Sequence, residues 1–305
     1  MSWLIIVIIA HLFSAVLFII DKYLLKREVP NPLTYAFWTG LLSIFTFILA
    51  PFGFSIPNTN IIITSLMAGL IWLVATITFY TALHQGESSR VVPTVGGLIP
   101  IFTLGFSFVF IGERLSLGEL IAFCLLVSGG VMLSLLVTDK TKLFSNGHRD
   151  IKLSKAFIPA VGSALAFSMY FVLTKFIFIH EPLINGIIWI RLGAALGALL
   201  LLIPSSFRKI IFQKGVRFKR KAIGFFVAAR GLGAVSGLLL FWAISLGSVT
   251  LVNALQGTQY LFLLLLAYLL FRKIPSLKEQ FDKRTSIQKI FAIILICVGL
   301  AILIL

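Results

Sequence analysis

Acidic side chains are scarce in this chain: ten Asp and Glu stand among 305 residues, against 26 Lys and Arg. Charged residues of both signs make up only 12% of the sequence and 59% is hydrophobic, whereas a soluble domain carries about 25% charge. That balance excludes an ordinary water-soluble fold. Cysteine is nearly absent too. Cys124 and Cys297 both fall inside apolar runs, where they act as small hydrophobic side chains and say nothing about redox compartment. Enzyme signatures are missing as well. No Walker loop occurs, Gly231-Leu-Gly233 is followed by Ser236 where a dinucleotide loop needs its third glycine, and the four His and two Cys show no metal-ligand spacing. The expectation is a protein that is not an enzyme and takes no cofactor or metal.

What the sequence does contain is apolar length. Crossing a hydrocarbon core of about 30 Å takes about 20 helical residues. Ten runs qualify: 3–20, 33–50, 61–83, 91–111, 117–137, 156–179, 183–203, 222–246, 249–270 and 287–305. They leave no room for a soluble catalytic domain. Runs such as Leu261 to Leu270 lack the alternation of a barrel strand, so their backbone must be satisfied within a helix. The predicted fold is an all-α membrane protein of ten transmembrane helices. The first run reads as a retained helix, because it lacks a basic leader and ends at Asp21-Lys22 without a small-residue cleavage site.

The positive charge is distributed unevenly. Twenty-two of the 26 basic residues, counting Lys289 at the edge of the tenth run with the ninth loop, fall in or beside the odd-numbered loops, most densely in the seventh, with Arg208, Lys209, Lys214, Arg217, Lys219, Arg220 and Lys221. By the positive-inside rule those loops are cytoplasmic in a plasma (inner) membrane, and both termini face outward. Juxtamembrane Lys and Arg suit an anionic cytoplasmic leaflet, so the net charge of +16 reads as a topology label and no nucleic-acid partner is expected.

The two halves match each other. At an offset of 153, Lys22 meets Lys175, Phe18 meets Phe171 and Gly40 meets Gly193; at an offset of 161, Ala82 meets Ala243, Gly86 meets Gly247 and Gly96 meets Gly257. Each half has five spans, and an odd number of crossings inserts the second half upside down, the inverted-repeat plan of many secondary transporters. The expected organisation is a first five-helix repeat at 1–138, a basic linker at 139–155 and a second repeat at 156–305.

Phe79-Tyr-Thr-Ala-Leu83, Gly86, Pro100, Gly112-Glu-Arg-Leu-Ser116 and Gly129-Gly130 are short motifs in the first half, and Phe241-Trp-Ala-Ile-Ser245 with Gly247 repeats the first of them in the second. In these motifs and in its layout the chain resembles the drug/metabolite transporter superfamily, in its ten-helix EamA-domain form. The second half departs from the pattern: Phe271-Arg-Lys-Ile-Pro-Ser276 stands where Glu-Arg-Leu-Ser would recur, and Leu261 replaces the proline. The resemblance implies a transporter with both termini in the cytoplasm, the reverse of the charge-based orientation, which is retained here.

Charge in the hydrocarbon costs about 2.5 to 3.5 kcal/mol on the insertion scale, so a basic residue there needs a reason. Arg191 and Arg230 each lie eight residues inside their spans, from opposite sides, which places both near the midplane. They align with Trp38 and Gly69, so the five-helix unit itself needs neither charge. No carboxylate occupies the middle of a span, which disfavours a cationic substrate, whereas guanidinium matches carboxylate or phosphate in a bidentate fork. Asn253, Gln256 and Tyr260 form a polar stripe at i, i+3 and i+7, and Tyr80, Trp38, Trp242 and Thr94 complete the candidate substrate-binding set. His11 is a candidate proton relay. Pro100, Gly96 and Gly97 are candidates for gating, since they loosen the fourth span. Purely structural readings stay open for each, from carbonyl neutralisation of the arginines to interhelical hydrogen bonding by the stripe.

The expected function is a secondary transporter of a small polar or anionic metabolite, an amino acid or other carboxylate, working by alternating access. Its partners are that small molecule and the bilayer, with a proton or another ion as a coupling candidate. Two alternatives remain at this point: a flippase for a lipid or lipid-linked phosphate, which would need an opening toward lipid, and a non-transporting scaffold or sensor with structural charges.

Overall fold

The structure, a computed structural model, describes residues 2–27, 31–85, 88–136, 155–212, 220–270 and 283–304. Nearly all of the 139–155 linker, and Gly86 of the first motif, lie outside them. Every regular element among the described residues is helical. The order is α1 (Ser2–Arg27), α2 (Pro32–Leu42), a 3-10 segment (Ser43–Phe52), α3 (Thr59–Gln85), α4 (Ser88–Phe110), α5 (Leu117–Leu136), α6 (Phe157–His180), α7 (Leu183–Leu200), α8 (Ser205–Ile211), α9 (Arg220–Leu246), α10 (Val249–Ala254), α11 (Gln256–Leu270) and α12 (Lys283–Ile304). Seven of the described helical segments are long and apolar enough to cross a membrane, and three shorter apolar helices cover 94–110, 117–132 and 288–304.

Two expected spans are not uniform α-helices. The second starts on Asn31, whose side chain accepts from the Leu33 and Thr34 N–H groups, with Pro32 in the first turn, and tightens to 3-10 winding at Ser43. The sequence there, Ser-Ile-Phe-Thr-Phe-Ile, is poor in strong helix formers, and Pro51 removes a donor close to the end at Gly53. The ninth is cut into α10 and α11 at Leu255. Around the cut the Thr258 N–H and Oγ1–H both donate to the Leu255 carbonyl, at 2.9 and 2.7 Å, and Gly257 follows the break. The short α8 begins after Pro204 where a loop was expected. Lys289, expected in the ninth loop, lies buried on α12.

Packing joins the halves of the chain rather than keeping them apart. Helix α6 lies against α3 and α4, α1 against α9 and α11, and α5 against α12. The tightest crossing is between α3 and α7. A Cβ on Gly193 would come within 2.5 Å of the Leu66 carbonyl oxygen, and one on Gly69 would strike the backbone of Ile190 and Ala194, so only glycine lets these backbones touch. By contrast, among the described residues neither α2 nor the 3-10 segment packs its backbone along α9. That unfilled seam is where the cavity lies.

Candidate functional site

A cavity of about 410 Å³ occupies this seam, within the range of small-molecule sites. Its walls come from α1, α2, the 3-10 segment, α3, α6, α7 and α9, and both Arg191 and Arg230 line it. No Asp or Glu lines it among the described residues.

The two arginines are held differently. Arg191 projects from α7 between two rings, its Cζ 5.1 Å from the Trp72 centroid and 5.0 Å from that of Phe241. Across from it Gly237 leaves room: a Cβ there would stand 3.2 Å from Arg191 Nη2. Arg191 makes no hydrogen bond or ion pair with any described residue, so its fork of donors is available to the cavity. A desolvated ring contact stabilises a cation by about 2 kcal/mol, so two rings together are comparable with the cost of placing arginine inside a membrane span. Arg230 on α9 donates from Nη2 to the Tyr35 hydroxyl at 2.9 Å, with its Cζ 5.2 Å from the Tyr35 ring and 5.4 Å from that of Phe226. Tyr35 is fully buried, and Tyr80 packs edge-on against it at 4.7 Å.

Hydroxyls supply the remaining polarity. Thr39, Ser43 and Thr46 line the cavity from α2 and the 3-10 segment. Thr39 Oγ1 donates to the Tyr35 carbonyl at 2.8 Å, and Ser43 Oγ to the Thr39 carbonyl at 3.3 Å. On the facing wall Ser14 and Ser236 meet at 2.6 Å, and Ser236 also donates to the Ala10 carbonyl at 2.9 Å, which ties α1 to α9.

Most of the other residues singled out in the sequence lie elsewhere. Tyr80 is one ring behind Arg230, Trp38 stacks edge-on with Phe37 beside α7, and Trp242 points outward, 47% exposed. Asn253 is buried and donates to the Val249 carbonyl of its own helix at 2.8 Å, Gln256 begins α11 half-buried, and Thr94 is half-buried on α4. Tyr260 presses its hydroxyl onto Gly96, so those two positions do meet, at the crossing of α4 and α11. Gly97 faces Val131, and Pro100 is buried in the same helix. His11 is buried beside the backbone of Val252, and neither ring nitrogen makes a hydrogen bond of good geometry with a described residue. The stripe on the ninth span and the arginines therefore belong to different places.

Sequence reasoning passed over Tyr35, Tyr170, Phe241 and the hydroxyls of the second span. A signal for the last existed: Thr39, Ser43 and Thr46 recur at i, i+4 and i+7, the same kind of stripe that drew attention to the ninth span. Lys175 was also underrated as a helix-edge residue. Its amine donates to the carbonyls of Ile244, Ser245 and Gly247 at 2.9, 3.4 and 2.8 Å, closing the open C-terminal end of α9 where a cation is favoured. Three residues on, Thr250 Oγ1 donates to Glu113 at 2.7 Å and contacts Ser107 at 2.8 Å, so the α9–α10 junction is pinned to both halves.

Three comparisons with known proteins bear on this geometry. Residues 1–135 match the model of the EamA-like transporter family. An uncharacterized protein of Methanocaldococcus jannaschii is 28% identical over 80 residues, a match spanning 26% of this chain and 58% of that protein. Among solved structures, a crystal structure of a protein superimposes with a TM-score of 0.68, covering 99% of this chain and 96% of its own at 20% identity, which shows a shared fold.

Proposed function

We propose, from the premise that residues 1–135 are an EamA domain of the drug/metabolite transporter superfamily in a multi-pass integral membrane protein, that the chain is a secondary transporter carrying a small anionic metabolite, such as an amino acid or other carboxylate. The observation that carries this reading is Arg191: a permanently charged fork, held between Trp72 and Phe241, unpaired among the described residues and facing a cavity with no acid. An oxyanion is the ligand that completes it, because a charge-assisted bidentate pair is stronger in a water-poor site than in bulk solvent. Arg230, with less freedom, adds positive potential from the far wall.

The relation between the two proposed halves, 1–138 and 156–305, supports alternating access. Exchanging the halves turns the α3–α6 contact into that of α9 with α1, and α4–α6 into α11 with α1, and both pairs of contacts occur. The same exchange turns the closed α3–α7 crossing into the open seam between α9 and α2. Arg230 aligns with Gly69, so a large cation fills the position where the closed crossing has no side chain. Opening one seam as the other closes would carry the site from one face to the other. Helix α4 takes part through Gly96, Gly97 and Pro100, and Tyr260 against Gly96 couples it to the α10–α11 break. With the basic loops in the cytoplasm, the open seam faces outward in this state. His11, buried on α1 beside the Val252 backbone, is the relay in a proton-coupled cycle.

Counterflow in proteoliposomes, screened over carboxylates and organic phosphates, tests this function. The wild type is expected to exchange at least one such anion, Arg191→Gln to lose that exchange, and Arg230→Gln to weaken it. Equal counterflow in both variants and the wild type would remove the anion site. His11→Gln is expected to retain exchange and lose accumulation driven by a pH gradient, and unchanged accumulation would remove the relay.

A further inference from the structure

The seam that forms the cavity is open on its side as well as toward its interior. At one end α2 and α9 are joined by Tyr35 and Arg230. From Thr39 onward α2 and the 3-10 segment line the cavity, which meets the outer surface of the bundle between two apolar lips. One lip is the 3-10 segment, where Phe45 and Ile48 line the cavity and are 70% and 78% exposed. The other is α9, where Ala234 and Leu238 line it and are also exposed. In a bilayer, side chains of this kind on the outside of a membrane helix face acyl chains.

From this geometry we infer that the transported anion is amphiphilic: a carboxylate or phosphate head held at Arg191, with an attached hydrocarbon chain that stays between the lips in the lipid. The inference rests on the anion site described above and specifies its substrate. Charge and apolarity line one cavity, Arg191 held between its rings and Phe45, Ile48 and Leu238 exposed at the lips. Such an arrangement keeps the head beside a fixed cation and spares the chain any exposure to water. Burying each methylene is worth about 0.8 kcal/mol, so leaving the chain in lipid avoids a cost that grows with its length.

Fluorescently labelled (NBD) phosphatidic acid in proteoliposomes, bleached from outside by dithionite, provides the test, with NBD-phosphatidylcholine as the zwitterionic control. For the wild type, bleaching of the phosphatidic acid is expected to extend from the outer-leaflet pool to both leaflets, while phosphatidylcholine stays limited to the outer pool. Arg191→Gln should return phosphatidic acid to outer-pool bleaching by removing the anchor. Ala234→Trp should do so by blocking one lip, and Ile48→Trp, on the other, repeats the block in case the first variant does not fold. Succinate and inorganic phosphate counterflow, measured in the same vesicles, separates the two readings. Arg191-dependent counterflow of these soluble anions with no lipid movement overturns the amphiphile and leaves the anion site standing. Lipid movement equal for both lipids, or undiminished in Arg191→Gln and both lip variants, overturns the amphiphile as well.

Discussion

Arg191 and Arg230 line one cavity, but they are supported in opposite ways. Arg230 is tethered: its guanidinium donates to a buried tyrosine hydroxyl and lies over two rings. Arg191 is cradled by rings alone, and no hydrogen bond to a described residue takes up its donors. Aromatic faces attract a cation while leaving its N–H groups unsatisfied, so they keep a charge in the membrane without using up its capacity to bind. A tyrosine hydroxyl does use some of it. The difference teaches that burial depth alone does not identify a ligand-binding charge; the chemistry of its immediate neighbours does.

Packing beside the first arginine offers the strongest way to break that comparison. Gly69→Ala places a Cβ against the Ile190 carbonyl and the Ala194 N–H, on the turn that carries Arg191. Because neither partner is a movable side chain, an overpacking cost of about 1 to 3 kcal/mol is expected, read as a lower unfolding temperature together with lost transport. A wild-type melting curve would show that the α3–α7 contact is looser than described. Next in size are the lysine substitutions. Arg191→Lys keeps the charge and loses the bidentate fork, with counterflow expected to fall about tenfold, whereas Arg230→Lys should cost only a few-fold. Equal losses would mean that both arginines serve one electrostatic role.

A smaller effect on transport is expected of Tyr35→Phe. Removing a hydrogen bond to a charged group costs about 1.5 to 3 kcal/mol of stability, and the loosened Arg230 is expected to shift the apparent KM more than the maximal rate. Trp242→Ala sharpens the comparison from outside it. The ring faces outward from α9, away from the cavity, and counterflow is expected within about twofold of wild type. A large loss there would place substrate on the outer surface of α9.

Much of the architecture was legible in the sequence because its cause is one-dimensional. A run of apolar residues must be helical in lipid whatever surrounds it, and a charge inside such a run stands out without knowledge of its neighbours. The two breaks were harder to read. Thr258 and Gly257 at the α10–α11 cut, and Pro51 near the end of the 3-10 segment, are individually common in membrane helices, and only packing decides whether they bend the chain. Polar periodicity drew attention to Asn253, Gln256 and Tyr260, yet a stripe cannot say what it faces: Asn253 satisfies its own helix, and Tyr260 meets Gly96. Phe241 and Trp72 were invisible as partners of Arg191 because ring contacts across three helices leave no spacing to find. Lys175 shows the reverse case, a charge whose place near a helix end concealed its closure of a different helix.

The central claim is that Arg191, and not Arg230, presents a free guanidinium to the cavity. Phenylglyoxal modification of the protein in liposomes, with adducts assigned to each arginine by peptide mass spectrometry, measures that without a known substrate. The account predicts that Arg191 reacts faster than Arg230 and that inorganic phosphate slows it selectively. Equal reactivity of the two, or an Arg191 that stays unmodified while Arg230 reacts, would contradict it.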